Sequence, residues 1–285
     1  MSFCLTFIRA LSILTIGSLS LLLAQQQPTA PAPQATPAPA PASQPAPAPE
    51  TNPDQAWSIE LFYWLTHANP DQIGGAAAAD YETVGPLGPS ENSPGVAIGL
   101  PLTQNDVLQI SGFQMRGRGA SIASQALDVY GTSLPVGYLS TEYRVRSAKV
   151  SFEDFLYPYP KHNAKLRFKT LWEAQYVQIT STTTAPLDSS YPSSTGSHGV
   201  ILPTFGLAMQ YAASTHLRLE LRGSAFGIPH HQYLVDSEAT AAYRIGPVQI
   251  VVGGRFFEFK TSPKAEEYYR SSIFGAMAGL RYTIR

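Results

Sequence analysis

The sequence predicts an all-β protein, a closed, antiparallel, up-and-down transmembrane β-barrel of about ten strands, with eight as the alternative count. Three observations lead to this fold class. Apolar and polar side chains alternate along segments longer than the five or six residues usual in soluble domains. Short and long connections alternate between these segments. No apolar run after residue 24 is long enough for a transmembrane helix, which needs about 20 residues.

Ten segments have the length and alternation of barrel strands: 56–65, 95–102, 107–115, 139–156, 165–180, 200–212, 216–226, 231–245, 248–260 and 270–285. The connections after the second, fourth, sixth and eighth segments are short: 103–106, 157–164, 213–215 and 246–247. Those after the first, third, fifth and ninth are long: 66–94, 116–138, 181–199 and 261–269. The seventh, 227–230, breaks the rule by being short. A membrane barrel with both termini in the periplasm has short periplasmic turns and longer outside loops, so the order supports this fold.

Each strand has one apolar and one polar face, and periodicity alone does not say which is inside. Leu217, Leu219 and Leu221 alternate with charged residues, a pattern that a soluble barrel of the lipocalin type would also produce. Strand length and aromatic placement favour a membrane barrel, with the apolar face toward lipid. Aromatic residues near the ends of the apolar stripes predict interfacial girdles. The predicted girdle residues are Tyr233, Tyr243, Phe274 and Tyr282.

The C-terminal segment has the clearest two-faced pattern. Phe274, Ala276, Ala278, Leu280, Tyr282 and Ile284 lie on one face, and Gly275, Met277, Gly279, Arg281, Thr283 and Arg285 on the other. With its glycine, its late aromatic residue and its terminal hydrophobic residue, the segment resembles the C-terminal signal of bacterial outer-membrane β-barrels. That family usually ends on an aromatic residue, where this chain has Arg285. The resemblance implies insertion into the outer membrane.

The N-terminus predicts export. Arg9 precedes an apolar run at 11–23 that ends at Ala24, so residues 1–24 are interpreted as a cleaved signal peptide. The alternative, an uncleaved anchor helix, needs about 20 apolar residues. Cys4, the only cysteine, lies inside this segment, which leaves the mature chain without disulfides or thiolate metal ligands.

Residues 25–55 predict a disordered, Pro/Ala-rich periplasmic linker, and 56–285 form the barrel domain. The tract 28–49 is either a tether to a periplasmic or cell-wall partner or a passive spacer. The net charge of −1 and the lack of a basic run argue against a nucleic-acid or anionic-lipid surface. The expected partner is outer-membrane lipid, the expected oligomeric state is a monomer, and no cofactor is expected.

Charged residues on the assigned inward faces predict a charge network inside the barrel. A ten-stranded lumen is narrow, so these side chains are expected to fill it and pair rather than leave a wide pore. A two-residue turn at 246–247 would place Glu238 opposite Arg255, in direct ionic contact. The predicted network comprises Arg218, Glu220, Arg222, Asp236, Glu238, Arg244, Arg255 and Arg281, with Glu60, Arg144, Lys149, Glu153, Arg167, Lys169 and Glu173 also assigned inward.

Three functions remain open. A structural or surface-interaction role is favoured, a narrow channel for small polar solutes is second, and a surface hydrolase is third. His230 and His231 near Asp236 faintly resemble the His and Asp pairs of omptin-like outer-membrane proteases, and Ser197 beside His198 is a weak candidate for a lipid deacylase. Adjacent strand residues point to opposite faces, so neither pair converges from regular geometry. We therefore expect no enzymatic activity and no metal site.

Overall fold

The computed structural model describes residues 56–74, 83–103, 105–124, 126–156, 165–187, 190, 193–229, 231–261 and 267–284. The N-terminal segments 1–24 and 25–55, His230, Arg285 and the connection 157–164 lie outside these residues. Fourteen strands occur in the described part of the chain: β1 (Trp57–His67), β2 (Asp71–Gly74), β3 (Thr83–Pro86), β4 (Ser93–Pro101), β5 (Asp106–Ala123), β6 (Leu127–Val129), β7 (Thr132–Leu134), β8 (Gly137–Phe155), β9 (Leu166–Thr184), β10 (Ser194–Ala212), β11 (Leu217–Gly227), β12 (Tyr233–Ile245), β13 (Val248–Lys260) and β14 (Glu267–Ile284).

Ten of these strands form one closed antiparallel barrel in the order β1, β4, β5, β8, β9, β10, β11, β12, β13, β14. The seam closes where β14 pairs with β1, from Trp57 opposite Ile284 to His67 opposite Phe274. Closure leaves no open strand edge, which is the condition for a sheet to exist in lipid. The predicted fold class and the count of ten strands are confirmed. Among the described residues, no helix is long and apolar enough to cross a membrane.

The two ends of the barrel differ. We call the end with the short connections, where Trp57 and Ile284 lie, the turn end, and the opposite end the loop end. The tightest turn joins β12 to β13, where Gly246 has a φ of 62°, a conformation that glycine adopts without strain. Ile245 pairs with Val248 and Glu238 with Arg255, so the predicted register of this hairpin is confirmed.

Four adjacent strands extend further toward the loop end than the sequence predicts. Residues 116–119, expected in a loop, continue β5, which has 18 residues, and β8, β9 and β10 have 19 each. The two glycines of this stretch do not interrupt the strand. They allow the segment at Leu87 to Pro89 to pack closely against it. A Cβ on Gly119 would lie 2.5 Å from the carbonyl oxygen of Leu87, and one on Gly117 would lie 2.6 Å from that of Pro89.

Two of the expected long loops contain short strands. After β1 ends, β2 continues along β14, with Asp71 opposite Arg270, and β3 pairs with β2. Between β5 and β8, β6 and β7 form a hairpin that turns at Tyr130 and Gly131. At the loop end, the backbone groups of these short strands pair with one another, and β2 also pairs with β14.

Candidate functional site

The apolar face of the barrel points outward. Leu221 is 52% exposed and Leu280 is 59% exposed. In contrast, the side chain of Arg222, the residue after Leu221 on β11, is only 11% exposed. The polar faces therefore converge on the lumen, the opposite of a soluble ligand-binding barrel. This inversion is what a lipid environment requires, and it makes the lumen the candidate site.

Glu153 is the centre of the charge layer in the half of the lumen nearer the turn end. Its carboxylate accepts a hydrogen bond of 2.9 Å from Lys169 on β9 and one of 2.7 Å from Arg222 on β11. Arg222 also donates to the side-chain oxygen of Gln109 on β5, at 2.7 Å. Charge-assisted bonds of this length are among the strongest in proteins. Four strands are thus tied together across the lumen.

Glu173 is a second carboxylate of the layer, and its side chain is completely buried. The ammonium of Lys149 lies 3.4 Å away and the guanidinium of Arg222 lies 3.7 Å away. The hydroxyls of Thr204 and Ser224 donate hydrogen bonds to it at 2.9 and 2.6 Å. Arg222 consequently serves two carboxylates at once.

Asp236 binds Arg255, and this corrects one expectation. Both nitrogens of the fork donate to Asp236, at 2.9 and 2.8 Å, and Lys149 adds a third bond at 2.8 Å. Arg255 was expected to bind Glu238, the residue opposite it in the register. Asp236 lies two residues nearer the loop end than Glu238. Aromatic rings contact the Arg255 guanidinium on that side, so the side chain extends toward Asp236 instead of the residue directly opposite it.

Aromatic and aliphatic side chains fill the half of the lumen nearer the loop end. Trp64, Phe113 and Phe257 pack edge to face, with ring centroids 5.4 and 5.3 Å apart. The Arg255 guanidinium lies 5.0 Å from the centroid of Phe113 and 5.5 Å from that of Trp64, which joins the two layers by cation–π contacts. The same cluster includes Phe62, Leu87, Met115, Tyr143, Val145, Val177, Ile179, Leu202, Leu234, Phe259, Tyr269, Ile273 and Met277.

The β6–β7 hairpin covers the lumen at the loop end. The hydroxyl of Tyr130, at its turn, hydrogen-bonds that of Tyr269, which in turn bonds Ser181 at 2.6 Å. Ser194 donates to the carbonyl of Val129 at 2.5 Å. A Cβ on Gly196 would lie 1.8 Å from two ring atoms of Tyr130, so this glycine makes room for the cap.

The other predicted network residues occupy varied positions. Arg281 binds Glu60 across the seam at 2.7 Å, and Glu220 lies 3.8 Å from Lys169. Arg218 lines the cavity near these groups. Arg244 donates to the carbonyl oxygen of Gly246 at the turn, 3.1 Å away.

Of two further arginines that were assigned inward, one faces the lumen and the other faces outward. Arg167 lies on the lumen face, with its guanidinium 5.6 Å from the ring centroid of Phe155. Arg144 was assigned inward incorrectly, because β8 turns its odd-numbered residues to the lumen and Arg144 is even-numbered.

The four predicted girdle residues all lie on the outward face. Tyr243 and Tyr282 are near the turn end and half exposed, and Phe274 is at the loop end, 5.7 Å from the ring of His67. Tyr233, at the loop end of β12, donates its hydroxyl to Glu258 at 2.7 Å. The two pairs of rings lie at opposite ends of the apolar band.

Of the residues considered for hydrolysis, those that the structure describes do not form a catalytic group; His230 lies outside the described residues. Ser197 lies on the outer wall and hydrogen-bonds Thr180 at 3.1 Å, while His198 turns inward between the rings of Tyr130 and Tyr269. Asp236 is fully engaged with its two cations. Within the described ranges, no group of three His, Cys, Asp or Glu side chains is arranged to hold a metal ion.

The fold is that of known outer-membrane proteins. The outer membrane protease OmpT from Escherichia coli superposes with a TM-score of 0.53 at 10% identity, covering 81% of this chain and 97% of that one. The outer membrane protein AlkL gives a TM-score of 0.38 at 9% identity, covering 85% and 97% of the two chains. Ail of Yersinia pestis gives 0.34 at 9%, covering 79% and 99%. No family model matches the sequence, and no curated protein matches it either. The chain has the fold of bacterial outer-membrane β-barrels.

Proposed function

We propose that this protein is a sealed, non-conducting barrel of the bacterial outer membrane with a structural or surface-interaction role. The filling of the lumen carries this proposal. Cavities between the charged residues include two of about 70 and 30 Å³, which is room for only a few water molecules. Within the part of the barrel that the structure describes, these cavities are too small for a hydrated solute to pass.

The two layers oppose transport for different physical reasons. An ion entering from the turn end must displace buried partners such as Lys169 from Glu153, and each displaced charge would be left without compensation. Beyond that layer, the rings of Trp64, Phe113 and Phe257 present apolar surface, which does not replace an ion's hydration shell. The charges therefore act as packing, as the narrow lumen predicts, and a channel role is disfavoured.

The loop end supplies surface for interaction. An open groove of about 710 Å³ lies at the outer side of this end. Its wall carries His67, the ion pair of Arg270 with Asp71, and Glu258. Together with the long strands β5 and β8 to β10, it exposes polar side chains beyond the apolar band. We also propose that residues 28–49 link the barrel to a periplasmic partner.

Planar-bilayer recording tests the sealed lumen. The refolded barrel, residues 56–285, is expected to insert without a steady single-channel current. A variant lacking residues 124–136, the segment of the β6–β7 hairpin, should also stay silent, because the aromatic and charged layers remain. Regular current steps from the intact barrel would contradict the proposal and favour the solute channel. Steps from the deletion alone would show that the hairpin, rather than the two layers, is the seal.

A further inference from the structure

Four arginines collect on the outer wall of the barrel. Strand pairing places Arg116 on β5 directly opposite Arg144 on β8, and both are even-numbered positions that face outward. Arg118 and Arg146 flank them on the same face. We call Arg116, Arg118, Arg144 and Arg146 the arginine ridge. The sequence did not suggest it, because Arg116 and Arg118 were expected in a loop and Arg144 in the lumen.

The centre of the ridge is electrostatically unbalanced. Directly opposed like charges on neighbouring strands are destabilising. Two carboxylates lie near the ridge, and both are next to Arg118: Glu91 forms an exposed ion pair with it at 3.3 Å, and Glu142 is opposite it on β8. Arg146 donates to Gln114 at 3.1 Å, so four arginines still face only two carboxylates. Within the part of the chain that the structure describes, neither Arg116 nor Arg144 forms an ion pair. An anion from outside the chain would relieve this repulsion.

The position of the ridge along the barrel indicates which part of the membrane it contacts. Below it, outward positions are apolar or small, with Ile110 opposite Val150 and Gly112 opposite Ala148. Arg146 stands nine residues from Phe155, the turn end of β8. Nine residues at ~3.3 Å, tilted about 40°, rise roughly 23 Å, close to the ~25 Å apolar band of membrane barrels. The ridge thus lies at the headgroup level of the outer leaflet.

The wall around the ridge fits an amphipathic ligand. Tyr176 is opposite Ala148, so an aromatic ring stands beside the small pair of Gly112 and Ala148 and leaves a shallow apolar track. Above it, Gln178 and Thr180 of β9 are opposite Arg146 and Arg144. Amide and hydroxyl groups there offer hydrogen bonds to a sugar or phosphate. An acyl chain and a phosphorylated headgroup would meet matching surfaces.

We propose that the arginine ridge binds the phosphate of an outer-leaflet saccharolipid, with Arg116 and Arg144 sharing the anion. Guanidinium groups bind phosphate through paired, charge-assisted hydrogen bonds. The chain has a net charge of −1, but anion binding depends on the local charge. The pairing of β5 with β8 brings four arginines from two separate strands together. This inference rests on the membrane location proposed above.

Native mass spectrometry of the detergent-folded barrel tests the site. The probe is bisphosphorylated lipid A, compared with its dephosphorylated form and with inorganic phosphate. The wild-type barrel should retain the phosphorylated lipid at least about tenfold better than the dephosphorylated one, and inorganic phosphate at equal concentration should not displace it. Equal retention of both lipids, or displacement by inorganic phosphate, would overturn the proposal.

The variants separate binding from folding. Arg116→Gln with Arg144→Gln should lose the phosphate preference, whereas Arg270→Gln, a matched arginine elsewhere on the outer wall, should keep it. Arg144→Glu should fold at least as well as wild type, because it creates an opposite-charge pair with Arg116, and should still lose the lipid. A phosphate preference that survives Arg144→Glu would refute the ridge as the site. If the wild-type chain failed to fold in detergent, the membrane location itself would fail.

Discussion

Replacing Arg222 by methionine is expected to lower the free energy of unfolding by about 3 to 5 kcal/mol, since it strands a buried carboxylate. Arg222 binds Glu153 at 2.7 Å and lies 3.7 Å from Glu173, and all three side chains are nearly inaccessible to water. Urea unfolding of the barrel in lipid vesicles, followed by tryptophan fluorescence, measures the loss.

Two further variants control this prediction. Arg118→Met removes an ion pair whose side chains are 73% and 54% exposed, so it should cost no more than about 1 kcal/mol. Adding Glu153→Gln to Arg222→Met should recover part of the loss, because the stranded charge is then removed. If Arg222→Met cost no more than Arg118→Met, the lumen would be wet and the charge layer would not be a packed seal.

Replacing Gly275 by alanine is expected to prevent the barrel from closing. The added Cβ would lie 1.8 Å from the carbonyl oxygen of Leu65, a backbone atom on β1 that cannot rotate away. Gly275 is at the seam, opposite Thr66, and its own carbonyl accepts a hydrogen bond from the indole of Trp64 at 3.3 Å. The clash would therefore separate β14 from β1.

Heat-modifiable gel migration reports closure, because a closed barrel resists detergent unfolding until it is heated. Gly275→Ala should abolish the fast-migrating folded band. Gly254→Ala is the matched control, since its Cβ would meet the Gly275 carbonyl at an ordinary 3.6 Å, and it should migrate as wild type. Normal folding of Gly275→Ala would mean that the seam is looser than the structure indicates.

Local patterns in the sequence were sufficient to locate the ten barrel strands and one register, but not the four short strands or the extensions at the loop end. The side-chain period of a strand is two, so alternation identifies both faces, and a two-residue turn fixes every pair in its hairpin. Glu238 opposite Arg255 follows directly from Gly246 and Pro247. The stretch at 116–119 was misassigned because two glycines normally indicate a loop, whereas here they admit the chain at Leu87 to Pro89.

Contacts across the lumen were beyond such patterns. Glu153 on β8 meets Arg222 on β11, and these strands are not neighbours in the sheet, so their distance depends on barrel diameter and strand stagger. Arg255 was mispaired for another reason: Asp236 is on the neighbouring strand β12, one pleat from the expected partner, and Lys149 on β8 also binds it across the lumen. The aromatic layer was accessible in principle. Phe62 and Trp64 continue the inward face that Glu60 begins, and following that alternation would have placed them in the lumen.

The most direct test of the account is the environment of each strand face, measured with nitroxide labels on single cysteines. The barrel domain, 56–285, contains no natural cysteine, so labels at Leu280→Cys and Met277→Cys on β14 report separately. In lipid vesicles, the label at 280 should collide with dissolved oxygen, which concentrates in lipid, and hardly with a water-soluble nickel chelate. The label at 277, where methionine is 4% exposed, should be shielded from both. A label at 280 that meets the nickel chelate, or one at 277 that meets either quencher freely, would contradict a sealed barrel with its apolar face in lipid.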